Sequence, residues 1–169
     1  MNGRRIRAAG IDDGQEIAPL FDAYRQFYGQ PADLALARRF IDARLRSGES
    51  VILLAEDESG SAVGFCQMYP TFCSVEAAAI YVLYDLFVSP NRRRHGVGRA
   101  LMLAAEARAQ AEGVARIDLA TAKTNATAQS LYESMGWRRD EQFHTYSKQV
   151  RPPGSPLSDK RPLVRQDGT

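Results

Sequence analysis

The sequence predicts one globular domain of mixed α/β class, and three observations carry that expectation. Stretches of helical period alternate with short apolar runs rich in β-branched and aromatic residues. Two of those runs are joined by the polar turn 57–61, which predicts an antiparallel hairpin. The chain has 169 residues, 44% of them hydrophobic, enough for one core with little room for a second domain.

Residues 4–8 alternate charged and apolar side chains, as a first strand does. Asp12 or Asp13 is placed to cap a helix. Behind them Ile17, Leu20, Phe21, Tyr24, Phe27 and Tyr28 recur at spacings of three and four, one apolar face, until Gly29 and Pro31 end it. Asp33 starts a second helix containing Ala37, Phe40, Ile41 and Leu45, with Ser47 and Gly48 as its stop. Residues 50–56 read as a short apolar strand and 62–69 as its returning partner. Residues 80–88 form a long β-branched and aromatic run closed by Pro90, the expected central strand. An alanine-rich helix runs to about Glu112 and stops at Gly113. A strand at 116–120 follows, then a helix at 125–135 with Ala128, Leu131, Tyr132 and Met135 on one face. Trp137 and residues 143–148 are expected to supply a last strand or hairpin. The domain is thus expected over 1–150. Beyond it, 151–169 carries Pro152, Pro153, Pro156 and Pro162, a composition that predicts an irregular extension, with a dimer-clasping arm as the alternative.

Composition and charge by themselves point to no partner. Charged residues make up 25%, net charge is +2 and the pI is about 8.6, short of the strongly basic balance of a dedicated nucleic-acid binder. No apolar run approaches the ~18 residues of a membrane span, and the arginine-rich start has no apolar stretch behind it, so the reading is a cytoplasmic protein without membrane attachment. Cys66 and Cys73 form no CxxC pair, and His95 and His144 lie far apart, so no metal site is expected.

The most informative stretch is 88–101, V-S-P-N-R-R-R-H-G-V-G-R-A-L, which passes from strand through a basic turn into a helix. Gly96 and Gly98 allow tight backbone and close approach of a ligand. The first amides of the helix lack internal partners, and the helix dipole adds positive charge at the same end. Together these suit an anion, above all a phosphate. Arg93, Arg94 and Arg99 add mobile charge. The competing reading is a solvated turn that happens to carry arginines. A Walker loop is excluded because Arg99 and Ala100 follow Gly98 where Lys and Ser/Thr are required. A dinucleotide fingerprint lacks its third glycine, Leu101 standing there, although Asp118 lies where a ribose-binding acid would. A nucleic-acid role for Arg92, Arg93 and Arg94 has no aromatic stacking motif to support it.

Arg93-Arg94-His95-Gly96-Val97-Gly98 resembles the Arg/Gln-x-x-Gly-x-Gly/Ala signature of the GCN5-related N-acetyltransferases. Asn125, Leu131-Tyr132 and Gly136-Trp137 resemble that family's downstream Asn…Leu-Tyr…Gly-Phe run, and the resemblance spans roughly residues 4–148. Tyr24-Arg25-Gln26-Phe27-Tyr28, Gly64-Phe65-Cys66-Gln67-Met68-Tyr69-Pro70 and Asp85-Leu86-Phe87-Val88 look like its HPA2-like subgroup. The resemblance implies a central mixed, mostly antiparallel sheet flanked by helices, acetyl-CoA as co-substrate, and a homodimer. It implies pyrophosphate held by main-chain amides over 94–99 (Arg94, His95, Gly96, Val97, Gly98, Arg99), pantetheine paired with exposed main chain of Leu86, Phe87 and Val88, and a cofactor contact from Asn125. A helix cap at Asn125 is compatible with that contact.

Acylating an amine poses two proton problems. A lysine-like amine, with an unperturbed pKa near ~10.4, must shed a proton before it attacks, and the departing thiolate is best protonated as it leaves. Tyr132 matches the family tyrosine that faces the thioester sulfur and is the expected general acid; its periodicity alone also fits a core tyrosine. Asp85 interrupts the apolar run 80–88 and is the expected base, an electrostatic anchor for the ammonium, or a structural ion-pair partner. Tyr24, Phe27 and Tyr28 are candidates to line the acceptor site, with core packing as the alternative. Glu56, Asp57 and Glu76 either make the approach acidic or are solvated turn residues. The expected reaction is direct transfer of acetyl from acetyl-CoA to a primary amine: a polyamine, another small cationic amine, or a lysine side chain of a protein. The alternatives are a non-catalytic acyl-CoA sensing module on the same fold and a basic nucleic-acid binder.

Overall fold

The computed structural model describes residues 5–148 and residue 150; the extension expected at 151–169 lies outside them. The chain divides into two compact units, Met1–Ala120 and Thr121–Thr169.

The first unit is a sheet between helices. Its elements are β1 (Arg5–Ala8), α1 (Gly14–Phe27), α2 (Leu34–Ser47), β2 (Val51–Glu56), β3 (Ala62–Cys73), β4 (Ala78–Val88), α3 (Val97–Ala111) and β5 (Ile117–Leu119). Among the described residues the strands lie in the order β1-β2-β3-β4-β5, antiparallel throughout except for the parallel pair β4–β5. This is the mixed, mostly antiparallel sheet expected. β3 runs four residues past the predicted end at 69. Its pairing with β2 stops at Met68, so Pro70 sits where β3 has only β4 beside it, an edge position that tolerates a missing donor.

Caps set the helix ends. Asp33 Oδ1 accepts from the Leu36 amide at 2.8 Å and starts α2, and Gly48 closes it in the left-handed region, with φ of 63°. Asp13 does not cap α1 with its side chain. Its carboxylate accepts from the Gly10 amide at 2.6 Å and from Arg7 at 2.7 Å, and a 3-10 turn, Ile11–Asp13, leads into the helix instead. Arg7 also pairs with Glu56 at 2.6 Å and ties β1 to β2. Buried Asp22 accepts from the Asp33 amide and the Gln26 side chain, both at 2.9 Å, fastening α1 to the start of α2.

From Ile52 to Glu56 every residue of β2 is buried, so the sheet is covered on both faces. Ile17, Leu20, Phe21, Ala37 and Ile41 of α1 and α2 pack on Ile52, Leu54, Phe65 and Phe87. The opposite face receives α3, which buries Val97, Leu101, Met102, Ala105 and Ala109 and touches β2, β3 and β4.

The second unit holds α4 (Ala126–Ser134). Asn125 is its cap, Oδ1 accepting from the Ala128 amide at 3.2 Å. The strand expected at 143–148 does not form. A strand exists only through a partner for its backbone groups, and none pairs with these residues among those described; Phe143 and Tyr146 are left 78% and 90% exposed.

Candidate active site

The site is organised by the second half of β4. Opposite it, Gln67 pairs with Asp85 but Met68 pairs with Leu83, so Tyr84 is an extra residue, a β-bulge. Its carbonyl accepts the Tyr24 hydroxyl at 2.9 Å, which binds α1 to the bulge. β5 pairs with β4 only from Tyr81 to Leu83 and then leaves it. The Ser89 amide donates to the Val63 carbonyl at 2.9 Å, making that pair a hydrogen-bonded one. Antiparallel alternation then turns the Phe87 and Asp85 main chain toward β3, and that of Leu86 and Val88 toward the edge β5 has left. Gly64 fits this crossing: a Cβ there would stand 2.8 Å from the Phe87 carbonyl oxygen. Of the three residues expected to offer main chain, Leu86 and Val88 present it outward.

Asp85 is only 8% exposed and faces the α1 side of the sheet with Phe87 and Gln67. Its Oδ2 accepts from Gln67 Nε2 at 2.6 Å, and Gln67 Oε1 accepts from Ser50 at 2.8 Å. Burial pushes its carboxyl above the usual range, while hydrogen bonds from Gln67 and Tyr24 pull against it. Its charge is felt by Tyr28 and Tyr69, whose phenols are raised first by burial and then by Asp85. A buried carboxylate among tyrosines, with no cationic partner among its hydrogen bonds, is poised to attract a cation or accept a proton.

The aromatic residues of α1 divide. Tyr24 stacks on Phe21 and meets Phe65 and Phe87 edge to face. Phe27 and Tyr28, 39% and 37% exposed, pack edge to face on one another at 5.2 Å. Tyr69 and Tyr84 make a similar pair at 5.5 Å, and Tyr84 is 64% exposed.

Of the two glycines expected to shape the loop after β4, Gly96 makes the turn and Gly98 lies within the first turn of α3. A 3-10 turn, Pro90–Arg92, precedes Arg94 at φ of 62° and Gly96 at φ of 77°. Ala100 is the first residue to bond back into α3, onto the Gly96 carbonyl at 3.0 Å, so Val97 and Gly98 direct their amides out of the helix end. The arginines have different tasks. Arg92 pairs with Asp57 at 2.7 Å. Arg93 donates to the outward Val88 carbonyl at 3.0 Å and lies 5.8 and 5.6 Å from the ring centres of Phe27 and Phe87. Arg94, His95 and Arg99 are exposed at the helix end. With outward amides, cationic side chains and an open strand edge, these residues suit a phosphate-bearing ligand with an amide-containing arm.

Glu56, Asp57 and Glu76 are bound to Arg7, Arg92 and Arg116, so the acidity at the site comes from Asp85 alone among these four carboxylates. In the second unit, Asn125 caps α4 and the half-buried Tyr132 packs against Trp137, ring centres 6.1 Å apart. Among the described residues no group of His, Cys, Asp and Glu is arranged to hold a metal ion, and no helix is long and apolar enough to cross a membrane. Cys66 is buried and its thiol is pushed up to about 12, whereas half-buried Cys73 is lowered by the Glu76 amide and Arg116.

Sequence reasoning missed Ser50, Gln67, Tyr69 and Tyr84 as parts of the site. Gln67 carried a signal: a polar residue in the otherwise apolar run Val63 to Met68 is expected to hold a buried partner.

Comparison with known proteins gives the family. The acetyltransferase (GNAT) family matches residues 17–137. YhfO of Bacillus subtilis (strain 168), an uncharacterized N-acetyltransferase, is 47% identical over 145 residues, covering 86% of this chain and 97% of that protein. The crystal structure of a probable acetyltransferase superposes with a TM-score of 0.82 at 37% identity, covering 88% of this chain and 99% of its own. An aminoglycoside N-acetyltransferase, AAC(6')-Iy, solved in complex with CoA, shares the fold at a TM-score of 0.73 and 18% identity. The chain belongs to the acetyltransferase (GNAT) family. It is an acetyl-CoA-dependent N-acetyltransferase.

Proposed function

We propose that the protein transfers acetyl directly from acetyl-CoA to a cationic primary amine: a polyamine, another small cationic amine or a lysine side chain. The observation that carries this reading is Asp85, a buried carboxylate hydrogen-bonded to Gln67, surrounded by tyrosines and adjoining the open edge of β4. Bound acetyl-CoA supplies the activated acyl group. The outward amides of Val97 and Gly98, with Arg94, His95, Gly96 and Arg99 around them, hold its pyrophosphate. Leu86 and Val88 pair their main chain with its amide arm, and Phe87 and Arg93 support that edge from the side.

Asp85 draws in the ammonium group and takes one proton from it, directly or through water. The N–H bond breaks and its electron pair stays on nitrogen, ready to attack the thioester carbonyl. Phe27 and Tyr28 give the carbon skeleton of the amine an apolar, π-rich wall. By its match to the family motif, Tyr132 gives its proton to the sulfur as the C–S bond breaks, the second proton lost by the nitrogen restores the tyrosine through water, Asp85 releases the first to solvent, and Asn125 contacts the cofactor. Cytoplasmic residence and a homodimer belong to the same proposal and rest on family resemblance; light scattering over a range of concentrations tests the dimer.

Free-thiol release from acetyl-CoA, measured with polyamines, amino acids, aminoglycosides and lysine peptides, tests the reading. Amine-dependent release confined to cationic acceptors is expected, and Tyr132→Phe is expected to slow it by about 10²-fold. Release with neutral or acidic acceptors only would overturn the substrate class, and full turnover by Tyr132→Phe would remove the acid.

A further inference from the structure

Gln67 sits in the middle of β3 with no exposed surface, a place where an apolar side chain would ordinarily serve better. Both ends of its amide are used. Nε2 donates to Asp85 Oδ2 at 2.6 Å, and Oε1 accepts from the Ser50 hydroxyl at 2.8 Å. An ionised carboxylate only accepts, so the amide must turn its nitrogen toward Asp85 and its oxygen toward Ser50. The three groups thus donate in one direction, from Ser50 through Gln67 to Asp85, and each bond polarises the next. Gln67 thereby fixes Oδ2 and with it the plane of the carboxylate.

We infer that Gln67, held by Ser50, is a positioning residue that orients the Asp85 carboxylate and holds it in its ionised form. This rests on the reading of Asp85 as the base. The other groups facing Asp85 act differently. Tyr24 also reaches the carboxylate but shares its single proton with the Tyr84 carbonyl, the phenols of Tyr28 and Tyr69 are raised by burial, Cys66 is a neutral thiol, and the charges of Arg44 and Glu49 act on Tyr69. Among these neighbours Gln67 makes the 2.6 Å bond to the carboxylate. Removing it leaves burial, which favours the protonated form, less opposed.

Two readouts test this in the full chain: the pH dependence of kcat/KM with a cationic amine, and direct carboxyl 13C titration of Asp85, its signal assigned with Asp85→Asn. Gln67→Met keeps the volume and removes the donor. It is expected to raise the titration midpoint of Asp85, and the acidic limb of the rate profile with it, by about one pH unit. Ser50→Ala should shift both the same way by less, and Ser50→Thr should restore them; these milder variants keep the test decisive if Gln67→Met folds poorly. An Asp85 titration that does not move in Gln67→Met or Ser50→Ala overturns the inference. If the titration moves but the acidic limb survives in Asp85→Asn, the base reading fails while the control of Asp85 ionisation by Gln67 stands.

Discussion

The two halves of β4 are built from the same kind of residues and do opposite work. From Ala78 to Leu83 the strand is paired on both edges, by β3 and, over Tyr81 to Leu83, by β5, and its inward side chains fill the core. After the bulge at Tyr84 one edge opens, a carboxylate replaces an apolar side chain, and alternate main-chain groups turn outward. The first half spends its hydrogen bonds on the sheet. The second half keeps some of them for a ligand, and tolerates a buried charge to gain chemistry.

Asp85→Asn and Leu83→Ala should separate the halves most sharply. Asp85→Asn is expected to lower kcat/KM by about 10²–10⁴-fold and to erase the acidic limb. It should also stabilise the protein. A carboxyl whose folded pKa lies above its ordinary value of 3.8 lowers stability as pH rises through that window, and the full cost persists at neutral pH. Asn escapes it, so at pH 7 the melting temperature should rise. Leu83→Ala should cost about 2–5 kcal/mol by denaturant unfolding while the pH profile of the surviving activity keeps its shape. If instead Asp85→Asn destabilised the fold and kept the activity, the halves would not differ in the way described.

The loop arginines offer a smaller contrast. Arg93→Ala removes the donor to Val88 and the cation lying near Phe27 and Phe87, and should weaken acetyl-CoA binding about tenfold by calorimetry. Arg92→Ala removes a surface pair with Asp57 and should change the affinity by less than about threefold. Equal effects would mean that the loop acts by charge alone.

Much of this was legible in the sequence, and the exceptions share a cause. Helix faces, the hairpin, the glycine-bearing loop and the oddity of Asp85 are local patterns, and each appears where its residues predict. The bulge left no trace, because one extra residue in the run 80–88 does not change its composition. The extra length of β3 was hidden by Pro70, whose tolerance depends on where β2 ends. The strand expected at 143–148 had the right residues and no partner. Gln67 could be flagged as a buried polar group, but only the register shows that its partner is Asp85. What was missed depends on pairing between distant segments.

The two cysteines make the protein its own gauge of integrity. Only a thiolate attacks a disulfide reagent, so Cys66, whose thiol burial pushes up to about 12, stays silent in the native fold, while Cys73, half-buried and lowered, reacts. A chromogenic thiol reagent should therefore count one sulfur per folded chain and two per unfolded chain. The colour that reports released coenzyme A would then carry a fixed offset, and any growth of that offset during an assay would mark the fraction of enzyme lost to unfolding.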